Sequence, residues 1–142
     1  RRPRASFQQR RKPDLETPML YAILCYNDEA SVGAWSKAEE DKVMEALWAV
    51  QEPYVQAARM GPVARLMPTT TATTLRKNGD EPIVLDGPFA ETKEQLLGFY
   101  VVDCDDLDGA LTLARDLAKA NPGLGSYEIR PVLTIRDGTL KL

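Results

Sequence analysis

Reactive side chains are densest between Asp86 and Glu94, in the run Asp86-Gly87-Pro88-Phe89-Ala90-Glu91-Thr92-Lys93-Glu94. Gly87 and Pro88 force a short, stiff turn, so Asp86 is held at a defined rim position. Glu91, Thr92 and Lys93 add a carboxylate, a hydroxyl and an ammonium close by. A carboxylate near a lysine and an apolar wall has the ingredients of general acid or base catalysis. On that reading Asp86 is the base, and Lys93, Arg130 or Tyr26 orients an anionic group of a polar cyclic or aromatic substrate in a lyase or isomerase reaction. Its weak point is the ordinary Asp pKa of about 4, a poor base unless burial raises it. The plain alternative makes Asp86 a turn former that bonds the next backbone amides, Phe89 a core plug, and residues 92–95 one helical turn of solvated charge.

The chain has no histidine. That removes the usual zinc site, the Ser/His/Asp triad and every imidazole base. Cys25 and Cys104 each sit in an apolar run, not in a metal spacing, and are expected as buried, reduced core thiols. With no phosphate-binding loop or metal cluster either, no cofactor is expected. The same cleft then serves a second reading, a binding or regulatory module that holds a small polar or anionic metabolite or meets a transcription factor.

The elements that position this segment follow from patterning. At 142 residues, 44% hydrophobic and 27% charged, the chain fits one ordinary folded domain. Leu20–Cys25 and Leu96–Val102 are its longest apolar stretches, far below the roughly 20 residues of a membrane span. A cytoplasmic protein without membrane contact is expected. Residues 1–18 carry six basic and two acidic side chains, net +4; with the whole chain at −3, residues 19–142 carry −7. An acidic body repels phosphates, so nucleic acid is an improbable partner. Met19 reads as a natural start, and the basic tail before it as non-native or disordered.

Met19–Tyr26 reads as a strand ended by Asn27, Asp28 and Glu29. Ser36 and Glu39 have the spacing of a capping box, and Val43, Leu47, Val50 and Tyr54 form the stripe of the helix that follows. Pro53 predicts a kink or break near Gln51, and Gly61-Pro62 the helix end. A short strand over Val63–Met67 and a threonine-rich stretch lead to a hairpin, Thr73–Lys77 with Ile83–Asp86, around Asn78-Gly79-Asp80. Leu96–Cys104 is the second long strand. Asp105 is the expected cap of a helix with an inner face of Leu107, Ala110, Leu111, Ala114, Leu117 and Ala118, stopped by Asn121-Pro122-Gly123. Tyr127–Leu133 closes a domain over residues 19–133, and 134–142 is a tail. Glu128 and Arg130 share a face of that last strand and invite an outward ion pair. Trp35 and Trp48 read as core or helix-packing residues.

This order predicts an α+β fold, a ferredoxin-like antiparallel sheet with two helices on one face. Both long strands are apolar at either parity, so the second face also needs cover. The same face of another copy is the economical answer, and a sheet-on-sheet homodimer is expected.

The run DGPFAETKEQLLGFY, residues 86–100, resembles the signature of the DGPF group within the YCII-related proteins. MLYAILCYNDEA from Met19, ATTLR from Ala72, DDLDGA from Asp105 and EIRPV from Glu128 resemble further family segments in the expected order. The resemblance implies a dimeric α/β-barrel on a ferredoxin-like fold. It also implies a cleft in which some relatives pair a His with an Asp, one of them a dehydrochlorinase of aromatic breakdown. This chain has no His, so that pair does not transfer and Asp86 would act alone. Other family connections point to association with extracytoplasmic-function sigma factors.

Overall fold

The computed structural model describes residues 19–142; the expectations for residues 1–18 fall outside the described residues. Strand β1 runs over Leu20–Asp28 and ends where Asp28 caps the short helix α1, Glu29–Gly33, by accepting from the Ala30 amide at 3.1 Å. Helix α2, Lys37–Gln56, opens on the reciprocal Ser36–Glu39 box, with bonds of 3.1 and 2.9 Å. Beyond it lie β2 (Met60–Arg65), a 3-10 turn (Thr69–Thr71), β3 (Thr73–Arg76) and β4 (Ile83–Asp86). Strand β5 (Glu94–Asp103), helix α3 (Leu107–Ala120) and β6 (Gly125–Pro131) complete the regular elements of the described residues.

Strands β2-β5-β1-β6 form one antiparallel sheet, and β3-β4 a separate two-stranded ribbon. With the ribbon set aside as an insertion between β2 and β5, this is the ferredoxin-like order of two interleaved βαβ units. Helices α2 and α3 cover one face. Tyr21 and Ile23 of β1 lie opposite Val102 and Tyr100 of β5 on that face, and all four are buried with Val43, Leu47, Leu113 and Leu117. Gly98 sits where β2 crosses so close that a Cβ would stand 2.5 Å from the Ala64 carbonyl oxygen. The opposite parity, with Ala22, Leu24, Phe99 and Val101, stays half-buried.

Several local expectations are corrected. Helix α2 runs through Pro53 without the expected break near Gln51. The helix ends at Gln56 with Ala57 as its C-cap, four residues before Gly61. Ala58 takes the left-handed region, φ 57°, and the Arg59 amide reaches back to the Tyr54 carbonyl at 2.8 Å, which closes the end without glycine. Gly61 and Pro62 lie inside β2, which starts earlier than expected and stops before Leu66. Asp106, not Asp105, caps α3, accepting from Gly109 N at 2.8 Å, while Asp105 is drawn away to Arg59 at 2.7 Å. Leu113 takes the inner place assigned to Ala118, which is exposed. Trp48 is 63% exposed, whereas Trp35 packs against the core. Cys104 is buried and Cys25 only half-buried; both are free thiols. Residues 92–95 form no helical turn: β5 begins at Glu94. The last strand ends at Pro131, short of Leu133.

Candidate functional site

Gly87 adopts φ 118°, a conformation that L side chains rarely take, and its amide donates to the Ala72 carbonyl at 2.8 Å. The Thr74 hydroxyl donates to the Gly87 carbonyl at 2.7 Å, and the Arg76 guanidinium to the Phe89 carbonyl at 2.8 Å. Arg76 also lies over the Phe89 ring, 5.1 Å from its centroid. From the other side the Gln95 amide donates to the carbonyls of Ala90 and Thr92 at 2.9 and 3.1 Å. The loop is thus clamped between β3 and the start of β5. Phe89 is no core plug: it is 75% exposed, standing out from the loop under Arg76.

The loop forms one wall of an open hollow of about 460 Å³. Pro88, Phe89 and Thr92 line it, facing Tyr26 and Leu96, which pair at the β1–β5 bulge. Met67 adds apolar surface, and Glu94 supplies a carboxylate. Beside it a shallower depression gathers Glu91 and Lys93 with Asp28 and Glu29. Glu29 is tied down by accepting from the Thr69 amide at 2.7 Å and from the Thr69 hydroxyl. Lys93 is exposed and makes no ion pair among the described residues. Among the same residues no group of three or more His, Cys, Asp or Glu side chains could hold a metal.

Tyr26, Pro88, Phe89, Glu91, Thr92 and Lys93 are therefore brought together, while Asp86, Gly87 and Arg130 line neither depression. Asp86 ends β4 opposite Thr73, exposed. Arg130 lies on the half-covered sheet face, 3.9 Å from Glu128, the outward pair that alternation predicted. Glu128 also accepts from the Tyr26 hydroxyl at 3.3 Å. Burial and then the Glu128 carboxylate push the Tyr26 phenol above its ordinary pKa, which keeps it a neutral donor. Burial pushes the Cys25 thiol up to about 12 and that of Cys104 to about 11, so neither is an available thiolate.

Sequence reasoning missed Arg76, Gln95 and the Glu29–Thr69 tie. Period-two alternation carried a signal for the first, since Thr74 and Arg76 share a face of β3 and both reach the loop. The Glu29–Thr69 tie spans 40 residues, a separation that no spacing displays, whereas Gln95 acts locally, on carbonyls three and five residues back.

The YCII-related domain profile matches residues 19–136, which takes in the sheet, both long helices, the ribbon and the loop. An uncharacterized protein of Rhizobium meliloti (strain 1021) is 62% identical over 122 residues, 86% of this chain and 98% of that protein. The fold order, the clamped loop and a match of this extent agree: the chain belongs to the YCII-related domain family.

Proposed function

We propose that this protein is a homodimer that binds a small polar molecule in the hollow beside the 86–93 loop, with the second copy completing the wall. One observation carries the reading. The β3–β4 ribbon carries large apolar side chains on both faces yet, among the described residues, packs on no other strand or helix beyond marginal contact. Leu75 and Val84, opposed in register, are 60% and 63% exposed, and Ile83 and Leu85 on the reverse side are exposed too. A two-stranded ribbon is marginal alone in water and needs cover. Another copy offers a half-covered sheet face and an equally bare ribbon. The rim argues for a neutral polar ligand over an anionic one, since Lys93 stands among Asp28, Glu29 and Glu91.

Catalysis is supported by one specific feature. In the β3–β4 register Asp86 shares the face of Leu75 and Val84. A second copy laid on that face would desolvate Asp86 and raise its pKa, as a general base requires. The lyase or isomerase reading thus rests on the dimer, and so does any regulatory role of the same cleft. Light scattering tests the assembly: a mass of two chains is expected, and a single-chain mass at working concentration overturns it. Titration with neutral polar fragments, followed by the NMR shifts of Thr92 and Gln95 amides, tests the hollow. In any turnover so found, unchanged rates in Asp86→Asn remove Asp86 from the mechanism.

A further inference from the structure

A second cavity, on the helix side of the sheet and lined by no residue of the 86–93 loop, measures about 120 Å³. Its origin lies in the strand register. Cys25 of β1 stands opposite Gly98 of β5 on the helix-facing parity, next to the larger pair Ile23 and Tyr100, so the sheet drops away beneath α2. A side chain on Gly98 cannot close the gap, because its Cβ would stand 2.5 Å from the Ala64 carbonyl oxygen. Val43, Met44 and Leu47 of α2 form the roof, and Trp48 and Val63, 63% and 44% exposed, place a mouth between α2 and β2. Protein interiors pack without voids of this size as a rule, and an apolar cavity of about 150 Å³ takes a benzene-sized guest.

The floor carries a polar group without a partner. Tyr100 is only 8% exposed, and its hydroxyl takes part in no hydrogen bond among the described residues. Nor is that hydroxyl sealed in: among the same residues the buried side-chain atom that lacks both a partner and contact with water is Asn121 Oδ1. The Tyr100 hydroxyl therefore meets space that a water-sized molecule can enter, and the hollow that Tyr100 lines is this one. The neighbouring phenol is already engaged, since the Tyr127 hydroxyl accepts from Asn121 Nδ2 at 3.1 Å. Burial, and then Cys25 and Tyr127, push the Tyr100 phenol above its ordinary pKa, so it keeps a proton to donate. No carboxylate lines the cavity, and Arg65, its charged lining residue, is paired with Glu40 at 3.0 Å. A charged guest would thus lose its water without gaining a counter-charge.

We propose that this cavity binds a small neutral carbonyl compound, with its apolar body between α2 and the sheet and its oxygen accepting from the Tyr100 hydroxyl. A phenol is a stronger donor than an aliphatic alcohol and a poorer acceptor, so Tyr100 favours a carbonyl oxygen over another hydroxyl. By comparison with a benzene-sized cavity the guest has about six non-hydrogen atoms. The site is complete within one subunit, so it stands or falls independently of the proposed dimer.

Cyclopentanone and methylenecyclopentane share a shape, and only the first accepts a strong hydrogen bond. Each is titrated into the full chain and followed by the NMR shifts of the Val43, Met44 and Leu47 methyl groups. These line this cavity and neither the hollows at the loop nor the two others that Trp35 also lines, so they report this site. Saturable shifts with cyclopentanone are expected, at an affinity about 5- to 10-fold tighter than that of methylenecyclopentane, the worth of one hydrogen bond. Tyr100→Phe removes the donor and keeps the ring, and there the two affinities should converge. Val43→Phe, which fills the cavity, should abolish both, with the circular dichroism spectrum as the check on folding. Absence of saturable shifts in the unaltered protein overturns the site. Equal affinities there, or a preference for the ketone that survives in Tyr100→Phe, overturn the role of Tyr100, and the first comparison stands even if a variant fails to fold.

Discussion

The helix-covered face of the sheet and the β3–β4 ribbon both present large apolar side chains, Ile and Val on each, and meet opposite fates. On the first, Ile23, Val102, Leu113 and Leu117 lose all contact with water because α2 and α3 arrive from the same chain. On the second, Leu75, Val84, Ile83 and Leu85 keep much of theirs because, among the described residues, no other strand or helix packs on the ribbon beyond marginal contact. Apolar patterning states that a segment needs cover; connectivity decides whether its own subunit supplies it. The candidate site lies beside the region that lacks cover, which is why the proposed second copy bears on it.

The contrast breaks first in stability. Leu117→Ala should cost about 2–5 kcal/mol as a cavity in a packed core, seen as a lower urea midpoint. In an isolated subunit Leu75→Ala should cost within about 0.5 kcal/mol. A larger cost that grows with protein concentration would place Leu75 in the interface. The charged pair Leu75→Asp with Val84→Asp sharpens this, because it should halve the solution mass and leave the circular dichroism spectrum unchanged.

Alkaline pH separates the regions next. The Cys25 and Cys104 thiols, raised to about 12 and 11 from 9.0, keep their protons in the folded state where the unfolded chain loses them. The folded state therefore binds more protons above about pH 9, and stability falls as pH rises through that range, as unfolding midpoints would show. A flat profile between pH 9 and 11 would contradict the burial of both thiols. Ser36→Ala should cost about 1 kcal/mol by opening the capping box of α2. Asp86→Asn, at an exposed strand end, should leave the melting temperature nearly unchanged; a marked shift would mean that Asp86 is already buried against a partner.

Much of the fold was legible. The capping box at Ser36, the two long strands, the hairpin arms and the inner stripe of α2 follow from local patterning, and their order points to the ferredoxin-like sheet. The errors lie where a tertiary contact overrides a local rule. Asp105 has a cap residue's chemistry but is drawn to Arg59, leaving the cap to Asp106. Phe89 has a core residue's chemistry but rests under Arg76 in solvent. The loop itself was legible as a dense cluster, though not its clamping by Gln95 at the start of β5 and by Arg76 of β3.

Residue types and spacing alone determined which chemistries are closed to this chain, since the lack of histidine is independent of folding. They also determined which segments must be sheltered, because period and apolarity are local properties. Only the tertiary structure decided which side chains share a space: Tyr26 with Phe89 at one hollow, Asn121 with two tryptophans at another, and Asp86 at neither. Such meetings depend on sheet order and on where a helix ends, and residues distant along the chain carry no mark of them.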